Sequence, residues 1–161
     1  MVRWMVAVAL VACSQDGLDA ERSAAVLDRA MFRCRVQPVL VARCAFPACH
    51  GSNQRPLRVF ARQRLRLEVP PDRREADLTQ EEEEANYERA LAFAGDASTP
   101  PLLLAKPLEG RAGGFYHRAK DLYGDLDVFA TADDPGYRHL ADWIAGGADD
   151  PGCVPSEEVG P

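Results

Sequence analysis

The stretch 43-RCAFPACHGS-52 places two cysteines, a histidine and a glycine within ten residues. Four residues separate Cys44 from Cys49, and His50 follows the second cysteine directly. Cysteine and histidine are the side chains that most often bind zinc, and two nearby thiols also form disulfides. This segment is therefore the first candidate for a functional site.

Three interpretations of the segment differ in what the sulfur atoms bind. Covalent haem attachment uses Cys-x-x-Cys-His, with thiols on the porphyrin and the imidazole on the iron, and here the loop between the thiols is two residues longer. A tetrahedral zinc site would use Cys34, Cys44, Cys49 and His50. In the third interpretation Cys44 and Cys49 form a disulfide beside the histidine. The spacing of the cysteines makes the zinc site the least favoured of the three.

The amino-terminal residues have the pattern of an export signal. Arg3 is followed by the apolar run 4-WMVAVALVA-12, which is too short to span a bilayer as a helix. Residues 1–12 are therefore predicted to be a signal peptide that is removed on export. An exported chain folds in an oxidising compartment, where cysteines form disulfides or bind cofactors.

The end of this leader, 10-LVAC-13, resembles a bacterial lipobox. The resemblance implies cleavage before Cys13 and a diacylglycerol on its thiol, so residues 13–18 are predicted to form a lipidated tether at a membrane surface. Ser14 stands where an aspartate would resemble an inner-membrane retention signal. The predicted location is therefore the outer membrane, facing the periplasm or the cell surface.

The charge of the chain argues against one class of partner. The 161 residues carry a formal net charge of -6 at pH 7. Proteins that bind nucleic acid neutralise phosphates with a basic surface, so nucleic acid is not an expected partner. The basic run 55-RPLRVFARQRLRL-67 is followed by acidic residues and is expected to be a solvated face. Since no catalytic arrangement is evident, an enzyme is not the favoured interpretation.

Helical patterns occur near both ends of the chain. Residues 19–32 have apolar side chains at helical spacing, and 37-QPVLVARC-44 predicts a second, short helix with Pro38 in its first turn. Asp134 is a good N-cap for a last helix, which Gly146 is expected to end.

The clearest helix lies in the middle of the chain, from Thr79 to Ala94. Thr79 and Glu82 have the spacing of a capping box, and Gly95 is placed to end the helix. The glutamate run at 81–84 is expected to be a solvated first turn that favours the positive end of the helix dipole.

The connections between these helices are long and irregular. Leu57, Val59, Leu65 and Leu67 alternate with arginines, a pattern that allows a short β-hairpin near 57–69. Long loops in a small domain usually surround a bound group or are held by disulfides. The predicted fold class is mainly α, with long irregular loops.

Three segments, taken in order, resemble the cytochrome c-like domains of exported bacterial proteins. They are 36-VQPVL-40 leading into 44-CAFPACHG-51, then 102-LLLAKPL-108, then 137-YRHLADWIAGGA-148. The resemblance covers residues 32–148. It implies a small helical domain at residues 19–153 with a flexible tail at 154–161. It also implies that the first and last helices cross, with Tyr137 and Trp143 at the contact.

The resemblance also implies a covalent haem c cofactor. Cys44 and Cys49 would be the attachment thiols and His50 the proximal iron ligand. No methionine follows the first predicted helix, so His117, in the glycine-flanked loop after 102-LLLAKPL-108, is the predicted distal ligand. His139, on the last helix, is expected to face solvent.

With two cysteines on haem, Cys34 and Cys153 remain, and a disulfide between them would tie the tail to the first helical segment. Without haem the four cysteines allow three connectivities, of which Cys44–Cys49 with Cys34–Cys153 is the simplest.

The sequence therefore leads to two hypotheses of function. The first is a lipid-anchored cytochrome c-like protein that carries one haem and exchanges electrons with a redox protein partner in the cell envelope. The second is a haem-free surface lipoprotein, held together by disulfides, that acts as a binding or structural module.

Overall fold

The computed structural model describes residues 27–68, 70–95, 100–118, 124 and 126–155. The predicted signal peptide, Cys13, the tether and the start of the predicted first helix lie outside these residues. The last six residues of the predicted tail also lie outside them.

One unbroken helical segment forms the first part of the described chain. It consists of α1 (Arg29–Met31), a π-helical turn (Phe32–Val36) and α2 (Gln37–Arg43). Asp28 caps it, since its carboxylate accepts a 2.6 Å hydrogen bond from the Met31 N–H. The sequence predicted two helices here, and the widened turn lies immediately before α2, whose second residue is Pro38. Proline lacks an N–H, so Pro38 cannot donate to a carbonyl of the preceding turn.

The middle helix, α3 (Gln80–Ala94), has the predicted capping box. The Thr79 hydroxyl accepts from the Glu82 N–H at 3.2 Å, and the Glu82 carboxylate accepts from the Thr79 N–H at 2.9 Å. Gly95 ends the helix with a φ of 78°, a conformation that glycine adopts without steric cost. Both ends of this helix were therefore predicted correctly from the local sequence.

A short helix, α4 (Leu102–Ala105), and a final helix, α5 (Pro135–Ile144), follow. Asp134 caps α5 as predicted, because its carboxylate accepts hydrogen bonds from the N–H groups of Gly136 and Tyr137. Single 3₁₀ turns occur at Pro71–Arg73 and Gly110–Ala112. The predicted class, mainly α, is confirmed.

The core forms where the first helical segment meets α3 and α5. The Phe32 ring lies 5.3 Å from both the Tyr87 and Trp143 rings, measured between centroids. Trp143 is fully buried and donates from Nε1 to the Asp28 carbonyl at 2.9 Å. Tyr137 packs edge-on against Phe129 of the preceding loop. The Cys34–Cys153 disulfide, with a sequence separation of 119, joins the π turn to the segment after α5.

The predicted hairpin near 57–69 is wrong: the described residues contain no β-strand, and their one bridge joins Leu108 to Phe129. Backbone groups that a hairpin would pair are bonded to side chains of α3 instead. Asn86 accepts from the Phe60 N–H at 2.8 Å and donates to the Phe60 carbonyl at 3.0 Å. The Leu67 N–H donates to the Glu82 carboxylate at 2.8 Å. The alternation of leucines and arginines therefore does not form a strand, and the Arg66 side chain is buried while Leu67 is exposed.

Glu82 corrects the expectation of a solvated glutamate run. It is fully buried and accepts two 2.8 Å hydrogen bonds from Arg66, which belongs to the basic run that was also expected to be solvated. Burial raises the pKa of Glu82, but hydrogen bonds from Arg66, Thr79 and Leu67 outweigh it and hold the pKa below its usual value. This ion pair fastens residues 66–67 to the first turn of α3.

None of the described helices is long and apolar enough to cross a membrane.

Replacing Cys34 and Cys153 together by alanine is expected to lower the free energy of unfolding by about 4 kcal/mol. The bridge closes a long loop and so removes much of the conformational entropy of the unfolded chain. Urea denaturation followed by tryptophan fluorescence measures the change. A loss below about 1 kcal/mol would contradict the entropic account of this bridge.

Glu82→Gln is expected to cost about 3 kcal/mol, because it leaves the Arg66 guanidinium buried without its charge partner. The carboxyl group of Glu82 has a lower pKa in the folded than in the unfolded state. Such a group makes its full contribution to the stability of the folded protein at pH values above its unfolded-state pKa. That contribution is lost as pH falls through the folded value. The wild type should therefore lose stability as pH falls below the usual value of 4.5, and the variant should lose less. Glu81→Gln, at an exposed position in the same run, is the control.

Candidate functional site

The loop after α2 brings His50 back beside Cys44. The His50 N–H donates to the Cys44 carbonyl at 3.0 Å, and the Cys49 N–H closes a tight turn on the Phe46 carbonyl at 2.8 Å. Phe46, Pro47 and Ala48 are exposed. Three of the four residues between the thiols therefore bulge into solvent, whereas Ala45 is buried. The longer spacing does not separate His50 from the first cysteine.

Gly51 closes this loop where no side chain fits. A Cβ atom at this position would lie 2.1 Å from the Ala45 carbonyl oxygen. The Gly51 N–H donates to the Phe46 carbonyl at 2.9 Å, and the Val59 N–H then donates to the His50 carbonyl at 2.8 Å. These hydrogen bonds fix the backbone at Gly51 and at His50.

A cavity of about 330 Å³ lies against this loop, a volume within the range of small-molecule and cofactor sites. It is bounded by the end of α2, the Leu57 segment, the end of α3, α4 and the loop that follows α4. Its lining is mainly apolar and consists of Leu40, Cys44, His50, Leu57, Phe93, Leu102, Leu103, Lys106, Pro107, Tyr116, His117, Arg118 and Leu140.

Two histidine rings face each other at this cavity. The centroids of His50 and His117 are 6.0 Å apart, and the planes of the two rings differ by only 12°. His50 Nδ1 lies 2.9 Å from the Leu57 carbonyl oxygen, and His117 Nδ1 lies 3.0 Å from the Asp127 carboxylate. Carbonyl and carboxylate oxygens only accept, so each Nδ1 carries the proton. Each Nε2 is left as the atom with a lone pair.

Asp127 is a buried residue that sequence reasoning missed. Its Oδ1 also accepts from the Val128 N–H at 2.8 Å, and its own N–H donates to the Glu109 carboxylate at 3.1 Å. Its Oδ2 is buried and has no hydrogen-bond partner among the described residues. An aspartate in an irregular loop carries no sequence signal for this role, because its histidine partner is defined only by the fold.

The burial of the site sets the protonation of its side chains. Burial lowers the pKa of His50, although the hydrogen bond to Leu57 opposes this, so the imidazole is neutral at pH 7. Burial, with a smaller contribution from the neighbouring Cys49, raises the pKa of the Cys44 thiol to about 12. Burial also raises the pKa of Cys49. The site therefore presents a neutral His50 imidazole and protonated thiols.

Cys44, His50 and His117 all line the cavity, whereas Cys49 is half-buried and does not. Cys44 and Cys49 are both free thiols, so the disulfide between them that the haem-free interpretation contains is not formed here. His139 is half-buried on α5 and does not line the cavity.

The zinc cluster is wrong in the form predicted, since the Cys34 sulfur is bonded to Cys153. No group of three or more His, Cys, Asp or Glu side chains that could hold a metal ion occurs within the described part of the chain. A site made of protein ligands alone usually needs at least three.

Gly51→Ala is expected to destabilise the protein by about 1 to 3 kcal/mol, because the added methyl group meets the Ala45 carbonyl and forces the loop to move. Gly110→Ala is the matched control, since a Cβ there meets nothing within 4 Å. Urea denaturation of both variants measures the difference. Equal stability of the two variants would show that the loop accommodates a side chain.

Comparisons with protein-family models, with curated proteins and with solved structures gave no match for this chain. The likeness of three segments to cytochrome c-like domains therefore stays an expectation from the sequence. What the chain does is inferred below from the cavity and from the two imidazoles that meet there.

Proposed function

We propose that this protein binds one haem between His50 and His117 and transfers electrons at the cell envelope. The observation that carries the proposal is the pair of parallel imidazoles at one apolar cavity. Both rings are fixed through Nδ1, which leaves Nε2 of each for the iron.

The spacing of the rings supports one shared metal ion. An imidazole nitrogen binds a metal at about 2 Å, and the nitrogen lies about 1 Å from its ring centroid. Two imidazoles on opposite sides of one ion therefore have centroids about 6 Å apart. The separation of 6.0 Å between His50 and His117 agrees with this value.

The second layer of hydrogen bonds supports the same assignment. Histidines that bind metals usually donate their other N–H to a carbonyl or a carboxylate, which fixes the tautomer and the ring orientation. His50 has the Leu57 carbonyl in this role and His117 has Asp127. Asp127 is itself held by backbone bonds, so both rings keep their orientation without the cofactor.

The thiols would attach the macrocycle. Cys44 lines the cavity and is free of any disulfide, as addition of a thiol to a vinyl group requires. In that addition a sulfur–carbon bond forms and the S–H hydrogen moves to the second vinyl carbon, so no oxidant is consumed. Cys49 would form the second bond. Cys49 does not line the cavity, so Cys44 is the better placed of the two thiols.

The haem supplies the electron chemistry, and the residues of this chain hold it and tune it. Axial methionine raises a haem potential, so two histidines favour a lower one. The apolar lining keeps water from the iron. We propose that the predicted lipid on Cys13 places this centre at the outer membrane, where a redox protein partner exchanges electrons with it. The leader 1–12 and the lipobox ending in Cys13 support this part of the proposal.

A haem-free surface lipoprotein is the second candidate. The observation that favours it is that Cys49 does not line the cavity, because covalent haem attachment normally uses both thiols. In that case the cavity would bind another apolar ligand, and the disulfide alone would hold the ends of the domain together.

The visible spectrum of protein made in a host with haem-attachment machinery separates the two candidates. The wild type is expected to be red, with the spectrum of low-spin, six-coordinate iron. His117→Ala is expected to become high-spin because it loses one axial ligand, and added imidazole should restore the low-spin spectrum. His139→Ala, which changes a histidine away from the cavity, should leave the spectrum unchanged.

Covalent attachment is read by extraction into acid acetone. Haem should stay with the wild-type protein and should be extracted from the Cys44→Ala/Cys49→Ala variant. A colourless protein from haem-replete cells would refute the proposal. A low-spin spectrum in His117→Ala without added imidazole would show that another group is the distal ligand.

A further inference from the structure

Four of the residues that line the cavity are exposed to solvent, and together they form its mouth. They are Leu102, Lys106, Tyr116 and Arg118, from α4 and the loop that follows it. The other described residues of the lining are buried or half-buried. The cavity therefore opens beside this loop, and its closed side is formed by the end of α2, by α5 and by the Leu57 segment.

The charged side chains at this mouth are both positive. Lys106 and Arg118 line the cavity, whereas no carboxylate occurs among the described residues that line it. The chain as a whole carries a formal net charge of -6 at pH 7, so the mouth differs in sign from the average of the molecule. A positive mouth on an apolar cavity suits a ligand that has an apolar body and an anionic edge.

Hydrogen bonds hold the two cations at the same mouth. Lys106 Nζ donates to the Tyr116 carbonyl at 3.1 Å, and the Phe115 N–H donates to the Ala105 carbonyl at 2.6 Å. The segment that carries Arg118 is thereby tied to the end of α4. An ammonium group has three N–H donors, so Lys106 keeps two of them for a ligand.

Haem is charged at one edge only. Its two propionates lie on one edge of the macrocycle, and its two vinyl groups lie on the opposite side. Ionised carboxylates are costly to bury without a partner, so the propionate edge belongs at the mouth and the apolar edge belongs inside the cavity. Cys44, the thiol proposed to meet a vinyl group, is buried in the wall. The exposed cations and the buried thiol therefore match opposite edges of one haem.

We infer that Lys106 and Arg118 bind the two propionates of the haem and thereby determine which edge of the macrocycle enters the cavity; the identity of the ligand rests on the proposed function. A guanidinium group binds a carboxylate through paired N–H donors, and an ammonium group acts as a point charge with rotatable donors. Both cations are exposed, so salt should weaken each pair.

Haem and haem dimethyl ester differ in the charge of the propionates, so the ratio of their affinities reports on the two cations. The test uses the full chain with Cys44→Ala and Cys49→Ala, in which no thioether forms, and follows each titration by the visible spectrum. At low salt this parent should bind haem at least about tenfold more tightly than the ester. Adding Lys106→Gln and Arg118→Gln should reduce the ratio to about twofold or less. Added salt should lower the ratio of the parent and leave that of the glutamine variant unchanged.

Two controls separate the charge of these residues from a general effect on the loop. Lys106→Arg combined with Arg118→Lys keeps both charges and should keep the ratio within about twofold of the parent value. Arg111→Gln removes a positive charge from an exposed residue of the same loop that does not line the cavity, and it should leave the ratio unchanged. Because each ratio compares two ligands of one variant, a loss of stability that affects both equally cancels.

A glutamine variant with the same ratio as the parent would overturn the inference and leave the proposed function intact. The inference is also overturned if Arg111→Gln lowers the ratio as much as the glutamine variant, because the effect would then come from net charge alone. If neither porphyrin produces a bound spectrum, His50 and His117 do not hold iron, and the proposed function and the inference both fail.

Discussion

The hydrogen bond from His50 Nδ1 to the Leu57 carbonyl is the constraint on which the site depends. A carbonyl oxygen only accepts, so the bond fixes both the tautomer and the direction of the ring. Leu57 is held in turn because the segment that follows it is bonded to Asn86 of α3. The direction of one imidazole is thereby determined by a helix that carries neither histidine.

Hydrogen bonds between side chains and backbone also explain the lack of regular structure around the cavity. Several backbone N–H groups of the long loops donate hydrogen bonds to side chains. Phe60 donates to Asn86, Leu67 donates to Glu82, and Val128 donates to Asp127. A β-ladder would satisfy these groups equally well but would flatten the chain. Irregular segments bonded to helices can curve around a concave site and keep their polar groups paired.

Much of the helical framework could be predicted from the sequence because caps are local. Thr79 with Glu82, and Asp134 with the turn after it, each act within a few residues. The burial of Glu82 with Arg66, the support of His117 by Asp127 and the position of Lys106 and Arg118 at one cavity mouth could not be predicted. Each joins residues whose proximity exists only in the folded chain. The prediction of a hairpin was wrong for the same reason, because an alternation of leucines and arginines fits an irregular loop as well as a strand.

The Cys34–Cys153 bridge has a consequence for how the protein matures. Its partners are separated by 119 residues, whereas Cys44 lies only ten positions after Cys34. If the chain is exported from its amino terminus, as proposed, Cys34, Cys44 and Cys49 would meet the oxidising machinery before Cys153 arrives. Early enclosure of Cys44 within the hydrophobic core would withhold it from that exchange. Biogenesis would then depend on the order in which sulfurs become inaccessible, more than on their intrinsic reactivity.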